Sequence, residues 1–239
     1  MALLETQGLV ARYGDFQALF GVDIALDRGE TVAIIGANGA GKTTLMRSIS
    51  GLLASTPEQI LHDGVPIGAL SADSVMKRGI AVVPEGRKLF PSLSVEENLL
   101  IGGQERSRTK TENGYWNLET IYGLFPVLRE RRTNPGTALS GGQQQMVAIG
   151  RALMSNPEIL LCDEISLGLA PVVIKDIYQA LPQIKQAGAS VILVEQDIGQ
   201  ALRVADRVYC MMEGRITLEG RAHEVSREAI HDAYFGAAA

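Results

Sequence analysis

Residues 36–43 read Gly36-Ala37-Asn38-Gly39-Ala40-Gly41-Lys42-Thr43, the spacing G-x-x-x-x-G-K-[ST]. Those residue types suit the binding of a phosphate chain. Glycines let the backbone curl until successive N–H groups point at phosphate oxygens. A helix beginning at the same place adds its free N–H groups and positive dipole end. Lys42 brings a charge for the terminal phosphates, and the Thr43 hydroxyl suits Mg²⁺. The plainer alternative is a Gly-rich turn between a strand and a helix. The apolar run TVAIIG before the loop and the helical pattern GKTTLMRSIS after it are the context that a phosphate loop requires.

Two further segments carry chemistry. Ile159-Leu160-Leu161-Cys162-Asp163-Glu164 reads as an apolar strand ending in paired carboxylates. Parallel strands deliver their C-terminal residues to the ligand crevice of an α/β sheet. Asp163 could there hold Mg²⁺, directly or through water, and Glu164 could polarise a water attacking a γ-phosphate. Alone, such a strand end is more often a solvated acidic turn; the phosphate loop changes that balance. Leu139-Ser140-Gly141-Gly142-Gln143 precedes the helical run QQQMVAIGRALMSN. Ser140 is an N-cap residue and the glycines leave amides open to an anion. It reads either as a plain helix cap or as a second phosphate-binding helix start. In the second case it is expected to serve a nucleotide held by another subunit.

These residues need elements to position them. Apolar runs at TVAIIG (31–36), GIAVVP (79–84), EILLCDE (158–164), SVILVE (190–195) and DRVYCMMEGRI (206–216) are expected strands. Ser94 and Glu97 form a capping-box pair that opens a helix. Residues 171–188 predict a helix with Pro171 at its start, Gly188 after its end and a bend at Pro182. From 115 to 155 the pattern is helical without a clear strand. The expectation is an α/β protein: a single domain over 1–239, with a helical lobe at about 86–155 set between 1–85 and 156–239 of a nucleotide-binding core.

Bulk properties narrow the classes. With 239 residues, 46% of them hydrophobic, the chain can bury a sizeable core without disulfides. Its net charge of −5 disfavours a general nucleic-acid binder. Cys162 and Cys210 lie in apolar runs and read as reduced core thiols, which implies a reducing compartment. The start MALLETQGLV lacks the pattern of a signal peptide, and no added C-terminal regulatory domain is expected after His231. No apolar run reaches the ~18 residues of a membrane span, so a membrane role is expected to come through partners. Arg129-Glu130-Arg131-Arg132 reads as a solvated helix end, and Met211-Met212 as core strand.

Together these segments resemble the ABC ATPase family: LSGGQ at 139–143 matches its signature motif, with Ser140 23 positions before Asp163. The order of phosphate loop, Q-loop, signature, acidic strand, D-loop and switch loop also matches, from Leu3 to about Phe235. More narrowly, VPEGRKLFPSLSVEENL (83–99), SLGLAP (166–171) and VEQDIGQAL (194–202) resemble one ATP-binding subunit of branched-chain amino-acid importers. The resemblance implies a P-loop NTPase core with a mixed sheet, an inserted helical subdomain and N-terminal antiparallel strands. It implies ATP and Mg²⁺ as cofactors, with Tyr13 stacking on adenine. Gly36, Asn38, Gly39, Ala40, Gly41, Lys42, Thr43 and Thr44 would hold the phosphates. Ser140, Gly141, Gly142 and Gln143 would contact the ATP of a second ATPase subunit in a head-to-tail dimer. Thr43, Asp163 and Glu85 would hold the metal, and Glu164, Gln196 and Glu85 would serve catalysis. The implied partners are two permease subunits, touched by residues 85–99 and the helical lobe, and indirectly a solute-binding protein. The implied location is the cytoplasmic face of the cell membrane.

The chain departs from the wider family at four positions: Glu85 replaces the usual Q-loop glutamine, Gln196 the switch histidine, Ala170 the D-loop aspartate and Ile165 a proline. The first three agree with the narrower subfamily. Glutamine can hydrogen-bond a γ-phosphate but cannot carry a proton or charge as histidine does. Readings kept beside the importer are transport of urea or amides, a weakly hydrolysing regulatory module, a soluble ATPase of translation or DNA repair, and a small-molecule kinase.

Overall fold

The computed structural model describes residues 2–104 and 115–235; the part of the expected helical lobe at 105–114 lies outside them. In chain order its first elements are β1 (Leu4–Tyr13), β2 (Phe16–Leu26), β3 (Thr31–Ile35), α1 (Lys42–Ile49), β4 (Ile60–His62), β5 (Val65–Pro66) and α2 (Ala72–Lys77). Then come β6 (Ile80–Val83), α3 (Val95–Gly102), α4 (Leu118–Leu124), α5 (Pro126–Glu130), α6 (Gly141–Leu153), β7 (Ile159–Asp163) and α7 (Pro171–Gln186). Last are β8 (Ser190–Glu195), α8 (Ile198–Val204), β9 (Arg207–Met212), β10 (Arg215–Arg221) and α9 (Arg227–Phe235). They form two compact units: Met1–Val75 with Ser190–Ala239, and Met76–Ala189.

The first unit holds an antiparallel sheet in the order β2-β1-β4-β5. Tyr13 pairs with Phe16 across a two-residue turn that starts at Gly14, where φ is +59°. The unit also holds a mixed set of strands in which β3 runs parallel to both β8 and β9, while β10 is antiparallel to β9. Strands β3 and β8 are buried along their whole length, as their unbroken aliphatic sequence requires. Helices α8 and α9 cover β3 and β9 through Ala201 and Ile230, which pack with Ala33, Ile35, Val208 and Cys210.

The run 206–216 is corrected here from one strand to a hairpin. Glu213 and Gly214 both take positive φ, +49° and +72°, between β9 and β10. Two consecutive left-handed residues make the tight reversal whose twist matches antiparallel strands. Gly214 has no room for a side chain: a Cβ would lie 2.2 Å from the Ala18 carbonyl oxygen.

In the second unit β6 and β7 are parallel, and among the described residues helices α3 to α7 and a 3₁₀ turn at 136–138 join them. Helix α3 begins with the expected capping box: Ser94 Oγ accepts from Glu97 N and the Glu97 carboxylate accepts from Ser94 N. Helix α7 starts at Pro171 and runs through Pro182 without a break. Arg129 to Arg132 are exposed, as a solvated helix end should be. Cys162 and Cys210 are buried free thiols.

Candidate functional site

In the first unit the phosphate loop follows β3 directly. Gly36 is required by close approach, because a Cβ there would sit 2.3 Å from the Met211 carbonyl oxygen. Gly39 and Gly41 are required by conformation, with φ of +82° and +105°. The loop is tied to the β9–β10 turn by Gly214 N donating to Ala40 O at 2.9 Å. Helix α1 then starts at Lys42, which puts its free amides at the loop. The Lys42 side chain is buried and lies back over the curl, its Nζ donating to Gly36 O at 2.8 Å and Ala37 O at 3.1 Å. An ammonium held by two successive carbonyls at the start of the curl is placed to exchange them for phosphate oxygens. Asn38 and Gly39 are exposed at the tip, Ala40 and Thr44 are buried beneath it, and Thr43 is half-buried.

Two other candidates belong to this unit. Tyr13 ends β1 and is 41% exposed, with its hydroxyl 3.4 Å from an Arg47 nitrogen of α1. Its ring is thus available beside the helix that the loop opens. The parallel register pairs Ile35 with Glu195, so Gln196 leaves β8 at the level where the loop leaves β3. Gln196 is half-buried, and Glu195 is buried at the strand end. Asp197 was not foreseen: it caps α8, its Oδ1 accepting from Gln200 N at 3.0 Å, and so fixes the backbone next to Gln196. An Asp immediately before a helical run was the available signal.

The second unit carries the carboxylates. Val83 of β6 pairs with Cys162 of β7 in parallel, so the segments bearing Glu85 and Asp163-Glu164 leave the pair at the same end. Asp163 is buried at 6% exposure, Glu164 is half-buried and Glu85 is exposed. Glu164 has φ +49°, a left-handed conformation that a non-glycine residue adopts at a cost. Ile165, the departure from the family's proline, is buried at 1% exposure, so its side chain joins the core. Ala170 precedes α7 and contributes no side-chain cap.

The second glycine pair is a helix start, as expected. Ser140 caps α6, its Oγ accepting from Gln143 N at 3.3 Å while its own N donates to Gln143 Oε1 at 3.0 Å. Gly141 and Gly142 follow as the first helical residues, whose amides lie at the open end of the helix. Gly142 is buried, and a Cβ on it would come 2.3 Å from Val173 Cγ1 of α7. Near Gly141 lies the Arg87 guanidinium, 3.1 Å from where a Cβ would stand. Arg87 and Arg151, which hold this corner together, were not foreseen as site residues.

The chain thus carries a glycine-rich loop at a helix start, two carboxylates at a strand end and a capped Ser-Gly-Gly helix start. The ABC transporter family matches residues 19–166. This chain belongs to that family. The ABC subunit is 43% identical over 225 residues to the high-affinity branched-chain amino acid transport ATP-binding protein BraG of Pseudomonas aeruginosa, covering 94% of this chain and 95% of that one. Among solved structures it is similar to the ADP conformation of an ATP-binding cassette of an ABC transporter, with 30% identity, TM-score 0.78 and coverage of 97% and 94%. It is also similar to a dimeric post-hydrolysis cassette bound to ADP and phosphate, with 27% identity, TM-score 0.77 and coverage of 92% and 98%. The ABC subunit is therefore a nucleotide-binding ATPase with the α/β cassette fold. Among the described residues no helix is long and apolar enough to cross a membrane.

Proposed function

We propose that this ABC subunit hydrolyses ATP to energise an importer of branched-chain amino acids, working with permease subunits at the cytoplasmic face of the cell membrane. The observation that carries this reading is the 43% identity with BraG across nearly the whole of both chains. The local geometry supports the ATPase part. The loop 36–43 and the amides of Lys42, Thr43 and Thr44 bind the β- and γ-phosphates, and Lys42 leaves its carbonyl partners for them. Tyr13 stacks on the adenine. Glu164 accepts the proton of the attacking water, and Gln196 orients that water and the γ-phosphate by hydrogen bonds. Thr43, Asp163 and Glu85 offer hard oxygen donors of the kind that suits Mg²⁺, which when bound neutralises phosphate charge. Ser140, Gly141, Gly142 and Gln143 complete the site of a second ATPase subunit, a copy of this chain or a related one. Residues 86–155 act as the helical lobe inserted between 1–85 and 156–239, and with the 85–99 segment they meet the permease.

The test is affinity purification of the tagged chain from its native membranes, with mass spectrometry of what accompanies it. Two multi-span permeases and a second ATPase are expected, and transport assays of the complex with leucine, isoleucine and valine identify the cargo. A preparation without membrane partners, under conditions that preserve other transporters, rejects the importer.

A further inference from the structure

The segment after Glu85 is built on three consecutive left-handed residues: Gly86, Arg87 and Lys88 have φ of +71°, +63° and +47°. Glycine takes that conformation freely, but each of the two long side chains does so at a cost of roughly 1–2 kcal/mol. Something outside the turn must hold it. Arg151 of α6 does, with Nη1 donating to Lys88 O at 2.8 Å and Nη2 donating to Arg87 O at 3.0 Å. This guanidinium is half-buried, and burial pushes its pKa down. It also stands 5.8 Å over the Phe90 ring. Phe90 is braced from α3, where Asn98 accepts from Phe90 N at 2.9 Å and donates to Phe90 O at 3.1 Å. Two turns up the same face of α6, Gln144 Oε1 accepts from Arg87 Nη1 at 3.3 Å.

We propose that Arg151 is a positioning residue that clamps the Gly86-Arg87-Lys88 turn onto helix α6, so that the Ser140 end of that helix and the Glu85 segment are set as one piece. The proposal rests on the reading above, in which Glu85 serves catalysis. A planar fork that bridges two successive carbonyls cannot be replaced by an ammonium, which presents a single point charge. The clamp makes the position of Glu85 depend on the helix whose first residues contact the nucleotide of the other subunit. Glu85 needs no contact of its own with that helix.

The experiment uses the full chain with the subunits that co-purify with it. Arg151→Lys is expected to speed amide exchange at 86–90 by about tenfold or more, with exchange elsewhere and the melting temperature little changed, because only the local opening free energy falls. The kcat for ATP is expected to fall about tenfold while KM stays within about twofold, the pattern of a misplaced group rather than lost binding. Lys88→Val burdens the same left-handed position without touching Arg151, and it is expected to reproduce both effects even if Arg151→Lys folds poorly. Lys88→Gly placed in the Arg151→Lys background is expected to recover part of the lost kcat, because glycine takes the left-handed conformation without the steric cost that lysine carries there. Unchanged exchange at 86–90 in both Arg151→Lys and Lys88→Val overturns the clamp. Faster exchange with unchanged kcat overturns its role in positioning. Glu85→Ala separates the two readings. If it leaves kcat intact, the assignment of Glu85 fails whatever the exchange data show.

Discussion

Glu164 carries its carboxylate on a left-handed backbone at the end of a buried strand, next to the buried Asp163. A residue held in such a conformation is usually one whose side-chain direction matters more than local ease. Glu164→Gln keeps size and hydrogen bonding but removes the proposed base, so turnover should fall by at least about 100-fold. ATP affinity should remain within a few-fold, as read by calorimetry. Lys42→Ala should instead weaken ATP binding, since the carbonyls of Gly36 and Ala37 would remain where a cation is now held. A residue of different consequence is Cys210. Burial pushes its thiol up to about 11 from an ordinary 9.0. A raised thiol favours the native state below the unfolded value, and that contribution fades as pH rises from 9.0 towards about 11. Denaturation midpoints measured from pH 8 upward should therefore fall more steeply for the native chain than for Cys210→Ala. Native protein at neutral pH should resist alkylation at this position.

Helix starts organise the elements. Helices α3 and α6 open with Ser-x-x-Glu and Ser-x-x-Gln boxes, yet they serve different ends. In α3 the box only starts a helix, so Ser94→Ala should cost about 1 kcal/mol of stability and leave nucleotide binding alone. In α6 the cap is joined to glycines that permit close packing. Gly142→Ala must push against Val173 of α7, so a destabilisation of about 1–3 kcal/mol is expected on chemical denaturation. It should also displace the start of α6, and with it the contact proposed for a second subunit's nucleotide. The strands place their residues by register: a slip of one residue between β6 and β7 would turn the core face of β6 outward and shift the Glu85 segment by about 3.3 Å against Asp163 and Glu164.

For the molecule as a whole, the decisive feature is that the chain owns a phosphate loop and a second glycine-bearing helix start, capped by Ser140. If the second serves another subunit, hydrolysis needs association. Specific ATPase activity of the purified chain should rise with concentration and then level off, and Ser140→Ala should depress the plateau. A rate per molecule independent of concentration over a hundredfold range would remove the shared-site reading. The transported compound need not touch this subunit, so selectivity is expected to follow the permeases that accompany it.

Much of this was legible in the linear sequence, because the determinants are local. The loop 36–43 needs glycines at fixed spacing whatever surrounds it. The runs of β3 and β8 are apolar because both faces are covered. The Ser94 and Ser140 boxes satisfy donors within one helical turn. What only the tertiary structure decided depends on groups far apart in sequence. The hairpin at Glu213-Gly214 lies within the stretch 206–216 read as one strand, and its glycine is demanded by the Ala18 carbonyl, a contact that no local pattern records. The same holds for Arg151, which looks like an ordinary helix arginine until its partners 63 and 64 residues away are seen. Residue type and spacing announce backbone chemistry done in place, whereas a side chain that acts on a distant backbone leaves no mark until the chain has folded.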